Sequence, residues 1–244
     1  MDWIEVAGVR FLKHEMGEAS VVFGSRLSGD SLPPYESLNV GIGTGDDPEL
    51  VARNRGSLSK AAGLKASAVV MARQVHGDLI LRHETSEMDG PWARGTMPHV
   101  EADGHITETR GIGLAVITAD CLPIAIEGKR GLALVHCGWR GLAAGLAQKA
   151  AELVHGERAI IGPGIGPCCY EVGEQVANRF ADYHGALDGD RLDLVQVGRL
   201  QLQVAGVAAI ESTGLCTCCQ DGDFFSHRRD GEKTGRQGTL AWLN

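Results

Sequence analysis

Apolar residues along this chain gather in short runs of strand length, separated by polar stretches rich in glycine. Val21–Phe23 predicts the end of an early strand. Residues 25–49 then form a long loop loaded with Gly, Pro, Ser and Asp. Loops of that length in compact domains are functional or disordered, and the Leu, Tyr and Val inside this one favour order. Asp46-Asp47-Pro48-Glu49 predicts a helix start, with acids at the positive end of the helix dipole, and the helix runs to Ala62. Residues 68–75 predict a strand with His76-Gly77 just past its end, and residues 103–107 a short strand or loop. Gly113–Thr118 predicts a buried strand that stops at Ala119-Asp120-Cys121. Residues 122–126 and 132–136 predict two more strands, residues 141–154 a helix, and residues 159–161 a strand opening into GPGIGPCCY. Helices are expected over 174–183 and 198–211, and the turn-rich tail from Cys216 carries one apolar strand at its end. Strand–strand neighbours are about as frequent as strand–helix–strand units. This predicts the α+β class, with mixed β-sheets covered by helices, rather than a doubly wound fold. No linker or composition break interrupts the chain, so residues 1–244 are expected to form one domain.

Composition narrows the function classes. With 244 residues, 43% of them apolar, the chain can bury a core without disulfides or a partner. A net charge of −8 argues against nucleic acid as the main partner, since phosphate neutralisation dominates such affinities. No run of 18 apolar residues is present, and Asp120 interrupts the longest one, so no membrane span is expected. The N-terminus lacks the basic start and apolar stretch of a secretory signal. Seven cysteines are therefore read as reduced thiols, and the protein as cytoplasmic.

His76, Cys121 and His136 each lie at the end of a predicted strand. One cysteine and two histidines suit a three-ligand zinc site with an open fourth position, or three ordinary buried side chains. Cys216-Thr217-Cys218-Cys219, with Cys168-Cys169 upstream, invites a structural zinc or a redox pair. Adjacent Cys168 and Cys169 are poorly placed to chelate one ion, so packing or loop cysteines is the reading there. Arg140, four residues after His136 at a strand–helix turn, suits an anion near the metal. Arg228, Arg229 and Arg236 form a basic spot that is otherwise a solvated charge run. Asp120, beside Cys121, is a candidate general acid/base or partner of the ligands, or a turn aspartate. The Gly-rich pieces match neither a P-loop nor a dinucleotide fingerprint, and no G-x-S-x-G elbow is present.

SLNVGIGTGDDPELVARNR, QVHG, ADGHIT, TADCLPI, VHCGWRG, IGPGIGPCCYEVG and FFSHRRDGEKTGRQGTLAWL occur in that order. Together they resemble the laccase-domain family, also called multicopper polyphenol oxidoreductases, from Ser25 to the C-terminus. The resemblance implies a zinc-dependent purine nucleoside phosphorylase with adenosine deaminase activity, with purine nucleosides and phosphate as small-molecule substrates. It implies zinc at His76, Cys121 and His136, with copper as an alternative occupant, and substrate contacts at Asn39 and Arg55. Family members commonly carry Ala where this chain has Cys137, and Tyr where it has His227. One branch, the peptidoglycan editing factors, implies a rival: Cys121 and His136 as a thiol–imidazole pair cleaving an amide. A metal-binding partner protein without turnover is a third reading. Polyphenol oxidation is not expected. Multicopper oxidases build their centres from His-x-His pairs and a blue-copper set, and nine histidines without one His-x-His pair do not furnish them. Nothing in the residues chooses between a monomer and a homodimer.

Overall fold

Residues 2–85 and 90–244 are described by the computed structural model. Strands β1 (Asp2–Val6), β2 (Val9–Met16), β3 (Ala19–Gly24), β4 (Val69–Val70), β7 (Gly113–Thr118) and β14 (Gln237–Leu243) form one sheet. Its spatial order is β1-β2-β3-β14-β7-β4, with only β4 and β7 paired in parallel. Strands β5 (Ile80–His83), β6 (Gly104–Thr107), β8 (Leu122–Gly128), β9 (Gly131–Cys137), β10 (Gly156–Ile161) and β13 (Ala209–Ser212) form the second. Its order is β13-β10-β8-β9-β6-β5, parallel at β5–β6 and β10–β13. A small hairpin joins β11 (Leu187–Asp188) to β12 (Arg191–Leu192).

The period-2 alternation of the strands explains why the sheets stack. Leu114 and Val116 of β7, Val21 and Phe23 of β3, and Leu132 and Leu134 of β9 meet in the space between the sheets. The opposite face of the first sheet, with Val22, Ala115 and Leu240, packs on Leu58 of α1 (Pro48–Ala62) and Trp92 of α2 (Pro91–Arg94). The opposite face of the second sheet, with Ile124, Ile126, Ala133 and Val135, packs on α3 (Trp139–Ala143), α4 (Leu146–Val154) and α6 (Leu194–Val204). The result is four layers, helix–sheet–sheet–helix, and an α+β class with mixed sheets as expected. α1 begins where the sequence places it: the Asp47 carboxylate accepts the Glu49 N–H at 2.8 Å, and Pro48 opens the first turn.

Several elements differ from expectation. The helix expected over 141–154 breaks into α3 and α4, because Gly145 sits at φ 78°, which no helix can contain. The helix expected over 198–211 starts earlier, where Asp193 caps α6, and residues 209–212 form β13 instead. Of 174–183, only α5 (Glu174–Ala177) is regular, and of 68–75 only β4. The sequence does not announce the N-terminal hairpin β1–β2, because charged residues on both of its faces interrupt the apolar alternation. The tail holds a short helix, α7 (His227–Asp230), before β14. Among the described residues, no helix is long and apolar enough to cross a membrane.

This layering sets a hierarchy of stability. Leu134→Ala, at a fully buried position between the sheets, should lower the unfolding free energy by about 2–5 kcal/mol. Asp47→Ala, which removes only the α1 cap, should cost about 0.5–2 kcal/mol. Urea denaturation of both variants checks the order, and a larger loss in Asp47→Ala would contradict it.

Candidate metal centre

Strand β7 belongs to one sheet and β8 to the other, so Ala119, Asp120 and Cys121 form the crossing between them. That corner brings Cys121 to the C-terminal end of β9, where His136 stands opposite Pro123. His76 comes from the segment after β4. Ligand atoms of His76, Cys121 and His136 all lie within 4.8 Å of one another. The two imidazoles stand edge to face with ring centres 5.0 Å apart.

A fourth residue fixes this trio. Asp103, fully buried just before β6, accepts the N–H groups of Val75 (3.1 Å), His76 (3.0 Å) and Gly77 (2.7 Å). Its Oδ1 also accepts a hydrogen bond from Nδ1 of His136 at 2.8 Å, leaving Nε2 as the nitrogen free for an ion. The Asp103 carbonyl accepts the His136 N–H at 2.7 Å. His76 has φ 60°, a left-handed conformation that costs a non-glycine residue about 1–3 kcal/mol. The three amide bonds to one carboxylate hold it there. Gln74 adds a second anchor: its side-chain amide donates to the Ile117 carbonyl (2.7 Å) and accepts the Ile117 N–H (2.8 Å), tying the QVHG segment to β7. Gly138 leaves room for the sulfur, since a Cβ there would stand 2.8 Å from Cys121 Sγ.

The electrostatics follow from the contacts. Burial alone would raise the Cys121 thiol, but the charge and hydrogen bond of His136, with His76 behind, bring it down to about 6. Burial alone would lower His136, but the facing Cys121 sulfur and the Asp103 hydrogen bond lift it to about 9. Asp103 stays below the usual carboxylate range: burial raises it, and its bonds to His136 and the loop amides outweigh that. Cys137, fully buried beside this charge, is pushed well above the ordinary thiol value by burial and by Cys121, so it stays a neutral thiol.

A cavity of about 190 Å³ opens over His76 and Cys121, lined also by Asp120, Trp139, Arg140, Tyr170, His227 and Arg228, with His136 buried behind them. The Arg140 guanidinium lies over the Trp139 ring (4.4 Å), and that of Arg228 over the Tyr170 ring (5.1 Å). Arg228 also donates to the carbonyls of Cys169 (2.9 Å) and Glu171 (3.3 Å). Both Asp120 oxygens are engaged, one by the Thr217 hydroxyl (2.6 Å) and one by the Arg228 N–H (2.8 Å).

Three of the expected substrate residues do not line this cavity. Asn39 is fully buried in the 25–49 loop, bonding Gly41 N–H (2.9 Å) and Arg236 N–H (2.8 Å). Arg55, also fully buried on α1, donates to the carbonyls of Val40 (2.8 Å) and Pro91 (3.0 Å). Both residues order loops. Arg236 lines a neighbouring hollow with Gln74 and Ile117, and donates to the carbonyls of Thr234 and Gly235. Arg229 turns its guanidinium to Asp230 and nearby carbonyls. Residue-by-residue reading missed Asp103, Gln74, Gly138 and the two aromatic supports. Asp103, Gln74 and Gly138 stand inside ADGHIT, QVHG and HCGWRG, so the signal was local. A larger hollow, about 730 Å³, lies at the far end of the β8–β9 hairpin around Lys129, Glu152 and Arg158, away from these ligand-type groups.

The chain has relatives among known proteins. The family described as "Multi-copper polyphenol oxidoreductase laccase" matches residues 20–244. "Purine nucleoside phosphorylase YfiH" of Escherichia coli (strain K12) is 38% identical over 233 residues, covering 90% of this chain and 91% of that protein. "Purine nucleoside phosphorylase ORF3" of Streptomyces griseus is 36% identical, covering 93% and 96%. Among solved structures, YlmD from Geobacillus stearothermophilus superposes with a TM-score of 0.87 at 30% identity, over 99% of this chain and 98% of that one. A Bacillus licheniformis hypothetical protein, YfiH, superposes at 0.88 with 29% identity over 99% of both chains.

Two outcomes test the centre. In the metal-free protein, His136 holds its proton up to about pH 9 and Cys121 loses its own above about pH 6. An ion must displace the His136 proton, so its affinity should rise by about tenfold per pH unit between these limits and level off above. Competition with a chromogenic chelator at several pH values measures this, and a flat profile would refute it. Asp103→Asn should weaken metal binding by about 10–100-fold, through the loss of the imidazole's orienting carboxylate.

Proposed function

The chain belongs to the multi-copper polyphenol oxidoreductase laccase family, and we propose that it is a zinc-dependent purine nucleoside phosphorylase acting on adenosine, inosine and methylthioadenosine, with adenosine deaminase activity at the same centre. The observation that carries this reading is the convergence of His76, Cys121 and His136 at the floor of a cavity whose walls include Arg140 and Arg228. The names of the relatives support the same reaction class.

Phosphorolysis forms a bond between a phosphate oxygen and C1′ of the ribose while the C1′–N9 bond breaks. The purine leaves with that electron pair and gains a proton. The protein must hold an anion against the sugar, and Arg140 and Arg228 present the planar, charged forks this needs. Trp139 and Tyr170 stack beneath them and limit their rotation. Bound by His76, Cys121 and His136, zinc would supply Lewis acidity toward an oxygen in the cavity. Two nitrogens and one thiolate with an open side fit a three-ligand catalytic zinc site. A blue-copper site would add a weak axial methionine, and among the described residues none lines this cavity. With both oxygens engaged, Asp120 acts as a positioning residue that holds the Arg228 backbone against the corner. A cavity of about 190 Å³ is smaller than the roughly 300–1,000 Å³ of sites that enclose a drug-sized ligand. The nucleoside is therefore gripped at its reacting end, with the remainder across the mouth. In deamination the attack falls at a different atom: water, not phosphate, is the nucleophile, it adds to C6 of the purine, and the C6–N bond breaks to release ammonia.

A second reading draws on the same sulfur. Cys121 beside two imidazoles also has the makings of a thiol nucleophile and its base, which would remove a wrongly added amino acid from a peptidoglycan precursor. Chelation separates the two. Loss of nucleoside turnover on metal removal, restored by zinc, supports the phosphorylase. Indifference to chelation, with amide cleavage, supports the thiol enzyme. A bound ion with no turnover of any nucleoside, with or without phosphate, would leave only a metal-binding role.

Cys121→Ser should abolish phosphorolysis in a protein that stays folded, because a serine hydroxyl is a far poorer metal ligand. Arg140→Ala removes charge-assisted hydrogen bonds worth roughly 1.5–3 kcal/mol each, so the KM for phosphate should rise more than about tenfold. Deamination, which uses no anion, should change much less. Equal loss of both reactions with a lowered melting temperature would defeat the anion-binding role.

A further inference from the structure

Cys168 and Cys169 are neighbours in the chain, a spacing that argues against one shared ion. The fold removes that objection. The loop carrying them lies alongside the Cys216–Cys219 turn, bridged where Gly164 N–H meets the Leu215 carbonyl (3.3 Å) and Thr217 N–H the Gly164 carbonyl (3.0 Å). Each segment turns tightly at its cysteines, with Cys169 N–H bonded to the Gly166 carbonyl (3.0 Å) and Gln220 N–H to the Cys216 carbonyl (3.1 Å). The sulfurs of Cys168, Cys169, Cys216 and Cys219 all lie within 4.8 Å of one another as a result. Cys219 Sγ stands 3.5 Å from Cys168 Sγ and 3.3 Å from Cys169 Sγ. Gly166 N–H points at Cys216 Sγ from 3.2 Å.

We propose that these four thiols form a second metal site, a structural zinc clip separate from His76, Cys121 and His136. Zinc–sulfur bonds of about 2.3 Å place tetrahedral sulfurs about 3.8 Å apart, so the group closes around one ion with small side-chain movements. Cys219 faces two partners almost equally, the disposition of a shared centre rather than a disulfide pair. Four sulfurs this close leave no room for the several irons of a cluster, and a single ion in tetrahedral four-sulfur ligation is the setting of structural zinc. No ligand position stays open, which marks a structural and not a catalytic site. Four thiolates on one divalent ion carry a net charge of 2−, and the surroundings match it. Arg191 bonds the Cys168 carbonyl (3.2 Å), Arg228 that of Cys169 (2.9 Å), and Arg229 those of Thr217 (3.0 Å) and Cys218 (3.2 Å). Cys218 lies outside the group of converging sulfurs and takes no part. The clip joins the loop that carries Ile165 and Tyr170 to the turn that leads into His227 and Arg228. These are two walls of the cavity over the first site.

Cobalt substitution tests the proposal without reference to catalysis. Protein prepared under reducing, anaerobic conditions and loaded with Co2+ should show the intense visible bands of a tetrahedral four-thiolate ion. Those bands should persist in Cys121→Ser, and should vanish in Cys168→Ser/Cys219→Ser with the loss of one zinc equivalent per chain. Cys219→Ser alone, at an exposed position, keeps the fold under test and should weaken the bands to those of a three-thiolate site. Absence of the four-thiolate spectrum in the wild type, or its survival in the double variant, would overturn the clip.

Discussion

The Asp103 carboxylate lies out of reach of water and yet carries four hydrogen bonds, three from consecutive loop amides and one from an imidazole. A buried charge is tolerated only when its lone pairs are engaged, and here they are engaged by the very groups that must be placed. The loop amides bring His76 into an unfavourable left-handed turn, and the imidazole is held with one nitrogen facing Cys121. Remove the carboxylate and three amides lose their common acceptor while His136 loses its orientation. One interaction thus sets the loop, the tautomer and the charge of the thiol opposite.

The layered architecture supplies what Asp103 cannot. Cys121 sits at the corner where the chain leaves one sheet for the other, and His136 ends a strand of the second sheet. Both positions are held by strands buried on both faces, so they are rigid. His76 lies on a loop and needs the extra bonds. Asp120 uses the same corner to reach the tail, joining Thr217 and Arg228 to the sheets across a sequence separation no local motif would reveal. Arg228, which faces the cavity, is thereby referenced to the same framework as the ligands.

Much of this was legible in the residues because it is local or periodic. Strands β7 to β9 announce themselves by buried apolar runs, and Cys121 and His136 stand at the ends of such runs, whereas His76 lies on the loop after β4. Family motifs in order made the trio specific. What escaped depends on pairing between distant segments. The hairpin β1–β2 carries charges among its apolar residues on both faces and so resembles a loop. Gly145 looks like a helix residue until its backbone angle is seen. Asn39 and Arg55 sit in a motif that suggests substrate contact, yet both are buried and bond the 25–49 loop, Arg55 reaching also the Pro91 carbonyl. The proximity of the four clustered sulfurs is a property of two turns lying side by side, which spacing along the chain cannot express.

Strand β14 fills the middle of the first sheet, between β3 and β7, although it follows both by a long stretch of sequence. A ribosome delivers these residues in order. A nascent chain that has already emitted β3 and β7 therefore holds two open strand edges and an uncovered apolar face until residues 237–243 arrive. The sheet cannot zip progressively from one end. It closes in a single late step, of high contact order, in which the last strand slots between two waiting neighbours. Chaperones that shield exposed edges would find their client in that interval, and mutations that delay the final pairing would be felt as aggregation during synthesis before they were felt as loss of activity.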